Sequence, residues 1–181
     1  RWYIIKMEIL DGKKLSNEII EELKVRCDEL KEKGIKPKFA VIMVGNDKAS
    51  QIYVKNKRKA CERIGIECVE CFLDENIQQK ELIDKIKELN SDNTIHGILL
   101  QSPIPKHLNI NEAFETISPK KDVDGFNPTN VGKLCLNQNT FVSCTPFGII
   151  KLLDKYGIDL AGKKVTIIGR SNNVGKPLIQ C

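Results

Sequence analysis

The sequence predicts an α/β fold built on a parallel sheet. Phe39-Ala40-Val41-Ile42-Met43-Val44 is a continuous apolar run without alternation, as expected of a central strand covered on both faces. Ile95-His96-Gly97-Ile98-Leu99-Leu100 reads the same way, and amphipathic helical segments separate the strands along the chain. Strand and helix in alternation is the pattern of a layered α/β domain.

Taken in order, Arg1 to Lys6 precede Met7 and read as an extension ahead of a native start. After Glu8-Ile9-Leu10 and the turn Asp11-Gly12, Leu15, Ile19, Leu23, Cys27 and Leu30 fall on one face of a helix that stops at Gly34. The strand Phe39–Val44 ends at Gly45, and a helix over Ser50–Ile64 closes at Gly65. Glu67–Leu73 reads as a strand and Gln78–Leu89 as a helix with Leu82, Ile83, Ile86 and Leu89 facing inward. The strand over Ile95–Leu100 delivers Gln101 at its carboxyl end. Next come the loop Gln101-Ser102-Pro103-Ile104-Pro105, a short helix near Asn111–Thr116, and a surface loop from Lys120 to Pro128. Pro146 is placed to start a helix running to Tyr156, and Val165-Thr166-Ile167-Ile168 reads as a fresh buried strand.

Composition excludes several function classes. Lys+Arg 29 against Asp+Glu 24 leaves +5, spread along the 181 residues instead of gathered into a block, so no nucleic-acid footprint is read. No apolar run reaches the roughly 18 residues needed to span a bilayer, and no secretory h-region opens the chain; a cytoplasmic protein without a membrane partner is expected. Seven cysteines include one close pair, Cys68 and Cys71, which a strand would point to opposite faces. Reduced thiols are expected, and no metal site.

The chemistry is sought at the carboxyl ends of the strands, where open α/β sheets hold their ligands. Ser50, Tyr53 and Lys57 lie three and four residues apart, so a helix puts them on one face. Such residues are often mere packing and solvated charge, but the strands ending at Val44 and Leu100 bring this helix start and Gln101 to the same sheet edge. A second candidate is Gly169-Arg170-Ser171-Asn172-Asn173-Val174-Gly175, a strand-to-helix turn able to offer backbone N–H groups to phosphate. Ser171 stands where a dinucleotide fingerprint has its second glycine, and the acidic ribose partner would lie past Cys181. Either the chain is truncated within a cofactor domain or the segment is not one.

Together these residues resemble the bifunctional methylenetetrahydrofolate dehydrogenase/cyclohydrolases. The matching segments are Ala49 to Lys57, Leu100 to Pro105, Lys121 to Phe126, Cys144-Thr145-Pro146 and Gly169 to Pro177. The resemblance implies an N-terminal parallel-sheet α/β catalytic domain over residues 1–145, followed over 146–181 by the truncated start of a Rossmann-like dinucleotide-binding domain. It implies oxidation of 5,10-methylenetetrahydrofolate with NADP, NAD being the alternative, and hydrolysis of the methenyl product to 10-formyltetrahydrofolate. Lys57 would be the central group of the hydrolytic step, positioned by Gln101 and Tyr53. Tyr53 would lie against the folate ring system, Asp124 would accept from the pterin N–H groups, and Ser50 would orient its neighbours. Val54, Leu100 and Ser102 complete the implied substrate site; Ser102 departs from the family's usual Leu. Gly169, Arg170, Ser171 and Gly175 match the cofactor loop, with Arg170 the candidate for the 2′-phosphate. The family also implies a homodimer for the full-length protein.

Two rivals accompany this reading. A Tyr-x-x-x-Lys pair also occurs in short-chain dehydrogenases, where the tyrosine is the acid, but there the glycine-rich turn precedes the tyrosine and here it follows. The other is a truncated, largely inactive folate-binding module.

Overall fold

The structure is a computed structural model that describes residues 8–181. The reading of Arg1–Lys6 as an extension ahead of Met7 lies outside the described residues. Three parallel strands, β1 (Lys38–Val44), β2 (Glu67–Leu73) and β3 (Gly97–Leu100), form a sheet of order β2-β1-β3. Helix α1 (Gly12–Glu32) precedes the sheet, α2 (Lys48–Ile64) and α3 (Gln79–Ser91) connect its strands, and beyond it come α4 (Ile110–Thr116), α5 (Pro128–Cys135), α6 (Cys144–Lys155) and α7 (Gly175–Gln180).

The unbroken apolar run of β1 is explained by its two buried faces. Ala40, Ile42 and Val44 point to one side, where Leu82, Ile86 and Leu89 of α3 and Ala113 of α4 cover them. Val41 and Met43 point to the other, against Val54 of α2 and Leu99 of β3. Full burial of each Val, Leu, Ile or Met side chain among these contributes about 1.5–3 kcal/mol. Cys71 packs with the α3 side and Cys68 with the α2 side, so the two thiols do face apart. All seven cysteines are free.

Local chemistry sets the helix ends. The Asp47 carboxylate accepts from the Ser50 N–H at 2.7 Å and caps α2, which therefore begins at Lys48, two residues before the expected start. α3 opens with a capping box between Gln78 and Glu81. Pro146 lies in the first turn of α6, where a missing N–H costs nothing, while the helix itself starts at Cys144.

Two expectations fail. Val165–Ile168 forms no strand: Val165 is 59% exposed and Ile168 99% exposed. An apolar run becomes a strand only when neighbours complete its ladder, and among the described residues no strand lies beside it. Conversely, α5 begins where the expected loop ends at Pro128, over residues for which no element was expected. Asn127 caps it by accepting from the Thr129 N–H at 2.8 Å, and Pro128 occupies its first turn, a start signal that the surrounding Gly and charges obscure.

Candidate active site

The Asp47 cap sets the start of α2, and from there the helix pitch decides which side chains reach the sheet edge. Ser50 and Val54 turn inward, while Tyr53 lies about 60° around the helix from Ser50 and is 60% exposed. Lys57, half-buried, projects to the end of β3. Its Nζ donates to Oε1 of Gln101 at 2.9 Å. Gln101 is buried, and its own Nε2 donates to the Ser102 carbonyl at 2.7 Å. Because an ammonium has only donors, the amide must present its oxygen to Lys57, and the bond to Ser102 holds it that way. The Ser102–Pro103 peptide bond is cis.

Asp124 enters from the loop beyond β3. Burial pushes its carboxyl up from the ordinary aspartate value, the Lys57 charge pulls it down, and Asp122 pushes it up again. The Cys144 thiol, at the start of α6, lies 3.7 Å from the Asp124 carboxylate and 3.7 Å from the Val123 carbonyl. Desolvation first, then the neighbouring carboxylate, push this thiol up to about 11. Lys57, Gln101, Asp124 and Cys144 thus form one cluster drawn from α2, the residue that follows β3, the loop beyond it and α6.

The remaining predicted site residues are placed as follows. Ser50 is buried at 2% exposure and its hydroxyl has no hydrogen-bond partner among the described residues. The side chains of Val54 and Leu100 pack in the core, so a ligand would meet these residues through their backbone. The turn from Gly169 to Gly175 stands apart from the cluster in sequence but is tied to it. Ser143 Oγ donates to the Asn173 carbonyl at 2.5 Å, and the next residue is Cys144. A Cβ on Gly175 would overlap the Gly169 carbonyl oxygen, so this turn closes only with glycine there. The Ser171 hydroxyl accepts from the Val174 and Gly175 N–H groups at 3.1 and 3.4 Å, leaving its own proton to donate, and Arg170 is exposed. With the Val174 and Gly175 N–H groups taken by Ser171, the donors this turn offers a ligand are the Ser171 hydroxyl and the exposed Arg170.

Comparison with known proteins decides the family. Residues 10–124 match the family described as tetrahydrofolate dehydrogenase/cyclohydrolase, catalytic domain, and residues 143–181 match its NAD(P)-binding domain. The chain belongs to the tetrahydrofolate dehydrogenase/cyclohydrolase family. Bifunctional protein FolD of Campylobacter concisus is 52% identical over 172 residues, covering 95% of this chain and 61% of the relative. FolD of Acetivibrio thermocellus is 49% identical over 174 residues, covering 96% and 61%. The crystal structure of FolD from Campylobacter jejuni superposes with a TM-score of 0.96 at 51% identity, covering 97% of this chain and 62% of that one. The Trypanosoma brucei dehydrogenase-cyclohydrolase, complexed with NADP cofactor and inhibitor, superposes at 0.91 with 33% identity, covering 96% and 60%. The chain therefore spans about 61% of the length of these curated relatives.

Membership in the tetrahydrofolate dehydrogenase/cyclohydrolase family sets aside the short-chain reading of Tyr53 and Lys57. Among the described residues no helix is long and apolar enough to cross a membrane, and no group of three or more His, Cys, Asp or Glu is arranged to hold a metal ion. Sequence reasoning passed over Cys144 and Asp122 as members of the site, although both lie in the motifs Cys144-Thr145-Pro146 and Asp122-Val123-Asp124-Gly125 that it singled out.

Proposed function

We propose that this chain carries the folate-binding half of a methylenetetrahydrofolate dehydrogenase and methenyltetrahydrofolate cyclohydrolase. The observation that carries the reading is the Lys57–Gln101 hydrogen bond at 2.9 Å beside Asp124, in a chain of this family. Residues 1–145 would form the catalytic domain and 146–181 the opening of the cofactor domain.

Lys57 has donors only, held at one position by Gln101, and so can deliver a proton to the folate nitrogen that leaves when the methenyl bridge opens. Asp124 accepts from the pterin N–H groups and fixes the ring; Tyr53 offers its exposed face as a platform. Ser50 packs beneath the start of α2, which Asp47 caps, and Ser102 supports the Gln101 amide through its carbonyl. The cofactor, NADP with NAD the alternative, supplies the hydride acceptor when bound. Gly169, Ser171 and Gly175 shape the turn for its phosphates, and Arg170 meets the 2′-phosphate.

The full-length protein is proposed to be a cytoplasmic homodimer that acts on small-molecule folates. Loss of 5,10-methenyltetrahydrofolate, followed by its absorbance with a full-length protein and its Lys57→Ala variant, tests the assignment. Unchanged hydrolysis in the variant rules it out.

A further inference from the structure

Asp122 is 2% exposed, and among the described residues no cation pairs with it. A buried carboxylate is costly unless donors surround it. Three do: the Phe126 N–H donates to Oδ1 at 3.2 Å, and the Asn127 N–H and the Asn130 Nδ2 each donate to Oδ2 at 2.8 Å. Donors on both atoms require an acceptor at both, which a carboxylate supplies and an amide does not.

The partners reach outward. Asn127 Nδ2 donates to the Ile117 carbonyl at 2.9 Å, and Asn130 accepts from Thr140 Oγ1 at 2.9 Å. Asp122 also continues the sheet, since Ile98 of β3 bridges to it and donates to the Lys121 carbonyl at 2.7 Å. The network thus closes a turn from Asp122 to Asn127 against the sheet edge, the end of α4 and the start of α5.

Asp124 sits inside that turn. On one side of it, Val123 fills the space above Gly97, where a Cβ would meet it at 2.6 Å. On the other, Gly125 has φ +68°, and a Cβ there would lie 2.7 Å from the Phe141 carbonyl oxygen.

We propose that Asp122 is a positioning residue: by gathering the N–H groups that follow Asp124 it folds the turn that sets the Asp124 carboxylate beside Lys57 and Cys144. Its consequence for ligand rests on the folate reading given above; the placement of Asp124 does not. The groups that act on Asp124 are Lys57 from α2, Asp122 from its own loop and Cys144 from α6, and Asp122 is the one that disfavours its charge.

The test uses the 181-residue chain and Asp122→Asn, with carboxyl NMR titration of Asp124, amide exchange at Phe126 and Asn127, and binding of tetrahydrofolate. The expected result is a lower Asp124 titration midpoint, faster exchange at both amides, and about tenfold weaker binding, from donors left without an acceptor. Removal of the Asp122 charge lowers the Asp124 midpoint even in an unmoved turn, so the amides decide: unchanged exchange at Phe126 and Asn127 overturns the proposal. Should Asp122→Asn fail to fold, Asn130→Ala removes one donor only. Faster exchange at Phe126 and Asn127 is then expected, and unchanged exchange overturns the proposal equally. A wild-type chain that binds no tetrahydrofolate, while exchange at Phe126 and Asn127 still quickens in Asp122→Asn, supports the positioning role and removes the folate reading instead.

Discussion

Lys57 donates to Gln101 across 44 positions of sequence at 2.9 Å, and the amide that receives it is itself held by the Ser102 carbonyl. The two residues act as a unit. Lys57→Ala in a full-length protein is expected to lower methenyltetrahydrofolate hydrolysis by about 10²–10⁴-fold, the range for a positioned proton donor. Gln101→Ala leaves the ammonium present but unheld and should cost less. Steady-state rates for the two single variants and the double variant check this, since residues acting together give losses that do not add.

Asp124 gives the site its acid limb. Its carboxyl is raised by burial, so the folded chain holds a proton to higher pH than the unfolded chain does. The sign follows: stability linked to this group is greatest at low pH and is lost as pH rises through the folded value. Folate binding runs the other way, because the pterin N–H groups need the ionised form. Tetrahydrofolate affinity measured against pH should fall on acidification with a midpoint above the usual 3.8 of an aspartate, and Asp124→Asn should remove that limb.

Cys144 is exposed, so its thiolate fraction and not reagent access should set the rate of alkylation. With its thiol pushed up to about 11, only roughly a thousandth is thiolate at pH 8, and the thiolate is the nucleophile. Iodoacetamide labelling followed by mass spectrometry should therefore be slow and should rise with pH. Asp124→Asn removes a facing charge and should speed it.

Gly125→Ala places a side chain at φ +68° and against the Phe141 carbonyl oxygen at 2.7 Å. The left-handed conformation alone costs about 1–2 kcal/mol in a residue with a Cβ. Urea unfolding should show at least that loss, and a correctly shaped Asp122–Asn127 turn should be the first part to open.

Leu82→Ala, at a fully buried position in the layer between α3 and the sheet, is expected to cost about 2–5 kcal/mol in the same measurement. It should leave the Lys57 cluster intact in the folded fraction, since Leu82 packs on the opposite face from Val54.

The strands and the first three helices were legible because their signals are local: an apolar run, a 3.6-residue period, a glycine stop. The meeting of Lys57 with Gln101 was legible too, through the rule that strand ends share an edge. Asp122, Asn127 and Asn130 were not. They are polar residues in a stretch rich in Gly and Pro, and only contacts reaching α4, β3 and Thr140 make them an interior network. Val165–Ile168 misleads for the converse reason. Its apolar pattern is local, whereas strand formation depends on neighbours elsewhere in the chain.

Lys121, the residue just before Asp122, places its ammonium against the carbonyls of Leu89, Asn90 and Asp92 at 3.0, 2.7 and 2.8 Å. Those oxygens end α3, where a cation is favoured by the helix dipole. The last turn of α3 and the loop that carries Asp124 are therefore fastened through one side chain. Fraying of that helix end and excursions of the ligand-facing carboxylate are therefore expected to be coupled, so that amide exchange at one quickens with exchange at the other.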